Sequence, residues 1–185
     1  QKLEPWLRAH RIALHCEAIY ADVCAHLDVD DTRFPQVPGH DARKPVTFMG
    51  CGPYLGVEEK FGVLVMHDLA NLARYTRAYM GGESQDAVRH YEVGSALTLA
   101  LCEQSPGIVG DDFSLHTQLA YHVSLQLYTA YRGYGHDLPA WLGAGLAHWH
   151  ARRCCPRFPT HERRAGEPRE QSPFWQWDDR AKGLM

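Results

Sequence analysis

The chain has 185 residues, enough for one domain with a substantial core, and its 45% hydrophobic and 22% charged residues are ordinary for a soluble globular protein. A formal net charge of -3 gives no electrostatic basis for nucleic-acid binding or for docking on an anionic membrane. No apolar run approaches the roughly 20 residues needed to span a bilayer, so no transmembrane segment is expected.

In chain order, Pro5 to about Asp28 reads as a long amphipathic helix. Trp6, Leu7, Ile12, Leu14, Ile19, Val23 and Leu27 recur at three- and four-residue steps, and Pro5 suits a first helical position. Cys16 and Cys24, eight residues apart, then share roughly one face. Residues 29–44 carry loop chemistry, and "PVTFMG" (45–50) predicts a short strand stopped by Gly50, Gly52 and Pro53. A second helix is expected from about Val63 to Met80, ended by Gly81-Gly82. "SALTLALCE" (95–103) alternates as a strand, followed by a turn at 105–112. Asp111 or Asp112 is placed to cap a helix running to about Tyr131. The "GYGHDLP" loop follows, and Pro139 opens a helix to about Arg153. The tail from Pro156 is rich in Pro, Arg and Glu, yet holds "PFWQWDD" (173–179), whose aromatics predict packing against the body. The expected organisation is a single domain over 1–155 with a C-terminal tail, 156–185, packed on it.

Cys16, Cys24, Cys51, Cys102, Cys154 and Cys155 contain no CxxC pair, which disfavours a zinc ribbon or a thioredoxin-type site. An even count favours disulfides in an exported protein, periplasmic or extracellular, with the pairing left open. Adjacent Cys154 and Cys155 are expected to reach different partners. No signal peptide is visible, and the chain opens at Gln1 rather than Met, which suggests processing or a fragment of a longer chain.

The motif of most interest is a helix, a short loop and "LPAWLGAGLAHW". It resembles the gluzincin class of zinc metallopeptidases, in the branch whose second motif reads W-L-x-E-G-L-A. The resemblance covers about residues 111–155 and implies an α+β, mostly helical fold: a gluzincin-like core with a small sheet and two packed motif helices. In that class an HExxH helix supplies two zinc histidines and a catalytic glutamate, and the glutamate of the second motif is the third ligand. Here Trp141, Leu142, Gly145, Leu146 and Ala147 are kept, but Ala144 stands at the ligand position. In one register, "HVSLQ", His122 takes the first ligand place while Val123 and Gln126 replace the glutamate and second histidine. In the other, "YHVSL", His122 takes the glutamate place while Tyr121 and Leu125 replace both ligands. The resemblance therefore implies a former active-site cleft lined by Tyr121, His122, Leu125, Gln126, Trp141, Ala144 and His148, without catalytic residues.

Twelve histidines leave a second possibility, a metal site rebuilt from His116, His122 and His148 that would hold zinc and act as a metal-dependent hydrolase. A third is a histidine-rich metal-binding protein. The reading adopted is a non-catalytic metallopeptidase homologue, a structural or protein-binding subunit with no cofactor and a protein partner or larger assembly around it.

Overall fold

In the computed structural model, the described residues are 2–33, 54–55, 59–90, 98–104, 111–131 and 138–154. The first helix, α1, spans Pro5–Leu27. Pro5 sits in its first turn, where no intrahelical N–H is needed, and the Glu4 side chain accepts from the backbone N–H of Leu7 at 3.4 Å. The helix ends at Asp28, which turns into the left-handed region at φ 51° and donates its N–H to the Ala25 carbonyl at 3.3 Å. Cys16 and Cys24 share a face as expected, and both pack against the main core.

The expected helix from Val63 is corrected. Gly62–Met66 is a strand, β1, and the helix α2 covers only Leu69–Met80. Val63 and Val65 are β-branched and fit a pleated surface better than a helix. The break comes at Asp68, whose carboxylate caps α2 through the Asn71 N–H at 2.7 Å. Two further strands follow, β2 (Val88–His90) and β3 (Thr98–Cys102), the second inside the expected strand at 95–103. The described sheet has the order β1-β3-β2, with β1 parallel to β3 and β2 antiparallel to it. Its register pairs Gly62 with Thr98 and Met66 with Cys102. The strand expected at 45–50 lies outside the described residues, as does the tail 156–185.

Helices α3 (Asp112–Tyr131) and α4 (Ala140–Cys154) match the two expected motif helices. Asp111 is the cap of α3, accepting from Ser114 N–H at 2.7 Å. Pro139 leads α4, and its carbonyl accepts from Leu142 and Gly143 at 2.8 and 3.0 Å.

Strand β3 is buried on both sides, so its alternation assigns the layers. Leu99 and Leu101 join Ile19, Val23, Leu115, Leu119, Val123 and Leu127 in the main core between sheet, α1 and α3. Ala100 and Cys102 instead meet Leu72 of α2, with Met66, Leu69 and Val88 around them. A third cluster, Tyr121, Leu125, Ala147 and Ala151, joins α3 to α4. The architecture is mostly helical α+β, with α3 enclosed between the α1 side and α4. Among the described residues no helix is long and apolar enough to cross a membrane.

Arg8 ties α1 to this frame. Its guanidinium meets Glu103, just past β3, and Asp112, at the start of α3, and all three side chains are 12% exposed or less. Lys2 adds a second contact to Glu103 at 3.1 Å, and the Leu3 N–H donates to Asp112.

Candidate functional site

Along α3 the side chains sort by their angle around the helix, about 100° per residue. Tyr121, Leu125 and Tyr128 fall on one side and face α4. Leu125 lies directly under Gly143: a Cβ added there would stand 3.1 Å from Leu125 Cδ1 and 3.7 Å from Leu138 Cβ. Glycine at this point lets the two helices close together. The Tyr121 ring sits 4.9 Å from the His148 ring and 5.0 Å, edge-on, from the His122 ring. Of the seven residues expected to line a former cleft, Tyr121, His122, Leu125 and His148 thus form one neighbourhood. Ala144 is half-buried on α4, and Trp141 stands 76% exposed.

Gln126 goes elsewhere. It is buried about 140° round α3 from Tyr121, and lines a cavity of about 220 Å³ with Cys16, Tyr20, Phe61, Val63 and Val123. Asp31 also borders that cavity, accepting from the Tyr20 hydroxyl and from Leu55 N–H at 3.1 Å. The bond holds buried Leu55 at φ 47°, an uncommon conformation for a bulky residue. Burial pushes the Tyr20 phenol and the Cys24 thiol upward, and pushes the Cys16 thiol up to about 11, with Glu17 adding to it. Cys16 and Cys24 are therefore thiols rather than thiolates at neutral pH.

The histidines proposed for a rebuilt metal site are not assembled. His116 and His122 project about 120° apart around α3. The His116 partner is His15 of α1, the two Nδ1 atoms lying 2.7 Å apart. Among the described residues no three His, Cys, Asp or Glu side chains are placed to share one ion.

Two networks invisible in the sequence emerge instead, both tying α1 to α4. In the first, His15 uses its other ring nitrogen, Nε2, to reach Cys154 Sγ at 3.6 Å, while its Nδ1 meets His116. Burial, reinforced by His116, lowers the His15 imidazole to about 4. His116 is lowered too, chiefly by burial, with Arg11 and Arg8 acting against Asp112; its Nε2 is buried without a hydrogen-bond partner. Both rings are neutral at pH 7. A 2.7 Å contact between two ring nitrogens then requires one proton between them, one ring donating and the other accepting.

In the second network Asp22 accepts from His150 Nδ1 at 3.0 Å, and His150 Nε2 meets the Tyr128 hydroxyl at 3.0 Å. Arg153 closes the outer side, holding both Asp22 oxygens at 2.7 and 2.8 Å and lying 4.7 Å from the Trp149 ring centroid. Burial lowers His150 against the pull of Asp22, and raises Tyr128 to about 12. A carboxylate, an imidazole and a phenol in line form a proton-relay geometry, yet Tyr128 and His150 are nearly inaccessible at 3% and 4% exposure. The relay serves as an interlock among α1, α3 and α4.

Cys16, Cys24, Cys102 and Cys154 form no disulfide with one another; Cys51 and Cys155 lie outside the described residues. What fold and site define is an α+β chain organised on one enclosed helix, with paired histidine networks at its helix contacts. No protein-family model, curated protein or solved structure matches the chain.

Proposed function

We propose that this chain is a non-catalytic homologue of gluzincin metallopeptidases, an exported structural or protein-binding subunit. The observation that carries the reading is the apolar contact between the two motif helices. Tyr121 and Leu125 face α4, which favours the "YHVSL" register, and in that register they occupy the two histidine-ligand places. Ala147 and Ala151 close the contact, Gly143 brings the backbones together, and Ala144 offers no donor atom. A water-activating site needs charged or imidazole ligands with one open position. An apolar interface of this kind holds helices together and activates nothing. A protein-binding role draws support from Trp141 at 76% and Trp149 at 41% exposure, both on α4; tryptophan is enriched at binding hot spots.

The test is to incubate the full chain with a mixed peptide library, with and without added Zn(II), beside His122→Ala and His148→Ala. No cleavage by any of the three proteins is expected. Zinc-dependent cleavage by the wild type, lost in either variant, would overturn the reading.

A further inference from the structure

The contact between His15 and Cys154 has the makings of a ligand site that the peptidase reading does not use. We propose that Cys154 Sγ and His15 Nε2 are the two protein ligands of an exchangeable site for a thiophilic cation, with His116 as the residue that positions His15.

The geometry comes first. Zinc bonds to thiolate sulfur at about 2.3 Å and to imidazole nitrogen at about 2.0–2.1 Å. An ion placed at those distances from both atoms, across their 3.6 Å separation, subtends about 110°, close to tetrahedral. The two donor atoms thus stand at a separation that one ion can bridge.

The second shell agrees. A metal-bound histidine generally donates its other ring N–H to a fixed acceptor, which sets the tautomer and the ring orientation. His15 Nδ1 has that acceptor in His116 Nδ1 at 2.7 Å. With the proton on His15 Nδ1, the Nε2 lone pair is directed at the position between it and Cys154.

A metal-binding imidazole must present an unprotonated nitrogen, and donation of Nδ1–H to His116 leaves His15 Nε2 as that nitrogen. Cation binding displaces one proton, from the Cys154 thiol to solvent, and the thiolate charge then partly neutralises the ion. Both residues are half-buried, which leaves a path for an ion.

The ligand count sets the kind of site. Among the described residues no third His, Cys, Asp or Glu converges on the pair, so the proposed site has two protein ligands, with water or an outside ligand completing the coordination. That favours reversible loading over a permanent structural ion. Zinc(II) and copper(I) both accept a thiolate–imidazole pair, and separate titrations distinguish them.

The experiment uses the reduced full chain, with Zn(II) and, anaerobically, Cu(I), each presented in competition with a chromophoric chelator. The wild type is expected to take one equivalent of at least one ion. His15→Gln and Cys154→Ser should bind it at least tenfold more weakly, and His116→Ala roughly tenfold. Cys24→Ser, which removes a different thiol, should leave that affinity unchanged. Uptake of neither ion, or equal affinity in His15→Gln, Cys154→Ser and the wild type, would overturn the proposal. Circular dichroism of each variant separates lost binding from lost folding. The peptidase reading can fail without this one, since cleavage would depend on His122 or His148 and not on His15.

Discussion

Acidification is the perturbation that the His15–His116 contact makes most informative. A histidine whose folded pKa lies below its unfolded value binds fewer protons when folded. Its contribution to stability is therefore complete above the unfolded pKa, and is lost as pH falls through the interval down to the folded one. For His15 that interval runs from 6.5 to about 4. At about 1.4 kcal/mol per pKa unit the depression amounts to about 3 kcal/mol. Solvent reaches part of the ring and screens the interaction, which leaves about 1.5 kcal/mol. In a chain of this size that lowers the midpoint temperature by about 3–6 °C. The groups around the pair are His116, Asp112, Arg8, Arg11 and Cys154, with Glu17 beside Cys16. His116 and His150 are depressed as well, so their losses add in the same direction. The assay is denaturant unfolding from pH 7.5 to pH 4, on the wild type and on His15→Gln. The wild type should lose stability steadily below pH 6.5, and His15→Gln should lose about 1.5 kcal/mol less. Parallel pH profiles for the two proteins would refute the assignment of His15 as a neutral, proton-resistant ring.

Three further outcomes follow from the packing. Arg8→Met should destabilise by about 3 kcal/mol or more, because it strands the nearly buried carboxylates of Glu103 and Asp112; unfolding in urea measures it. Tyr128→Phe keeps the ring but leaves His150 Nε2 buried without its partner, at a cost of about 1–3 kcal/mol in the same assay. Gly143→Leu should overpack the α3–α4 contact against Leu125 and cost about 1–3 kcal/mol, visible as a lower midpoint temperature.

All four described helices were legible along the chain, three of them with their starts, because their signals are local. Pro5, the Asp111 cap and Pro139 each mark a helix start through the chemistry of a few neighbouring residues. β1 was missed because Val63 and Val65 run almost directly into the helical period of Leu69–Met80, and only Asp68 marks the boundary. A three-residue strand such as Val88–His90 has no periodicity to read, and is held by its pairing with β3. The candidate sites divide in the same way. Tyr121, Leu125 and His148 were reachable from the motif spacing. His15 with Cys154 and Asp22 with His150 are separated by more than a hundred residues, and no spacing rule connects them. One signal was present but ambiguous: α3 carries polar residues, Thr117, Ser124 and Gln126, that prove to be buried, so its hydrophilic positions do not mark a solvent face.

That burial has a kinetic consequence. Leu115, Leu119, Tyr121, Val123, Leu125 and Leu127 point to different sides of α3 and are all covered, and the Ser124 hydroxyl is spent on the Ala120 and Tyr121 carbonyls at 2.6 and 3.0 Å. The backbone amides of α3 meet water only when the surrounding layers come apart together. Their hydrogen–deuterium exchange should therefore report the global unfolding free energy. The amides on the outward side of α1, around exposed Trp6 and Leu14, should exchange first. In one experiment the slowest class of amides gives the stability of the fold, and the fastest gives the local opening of α1.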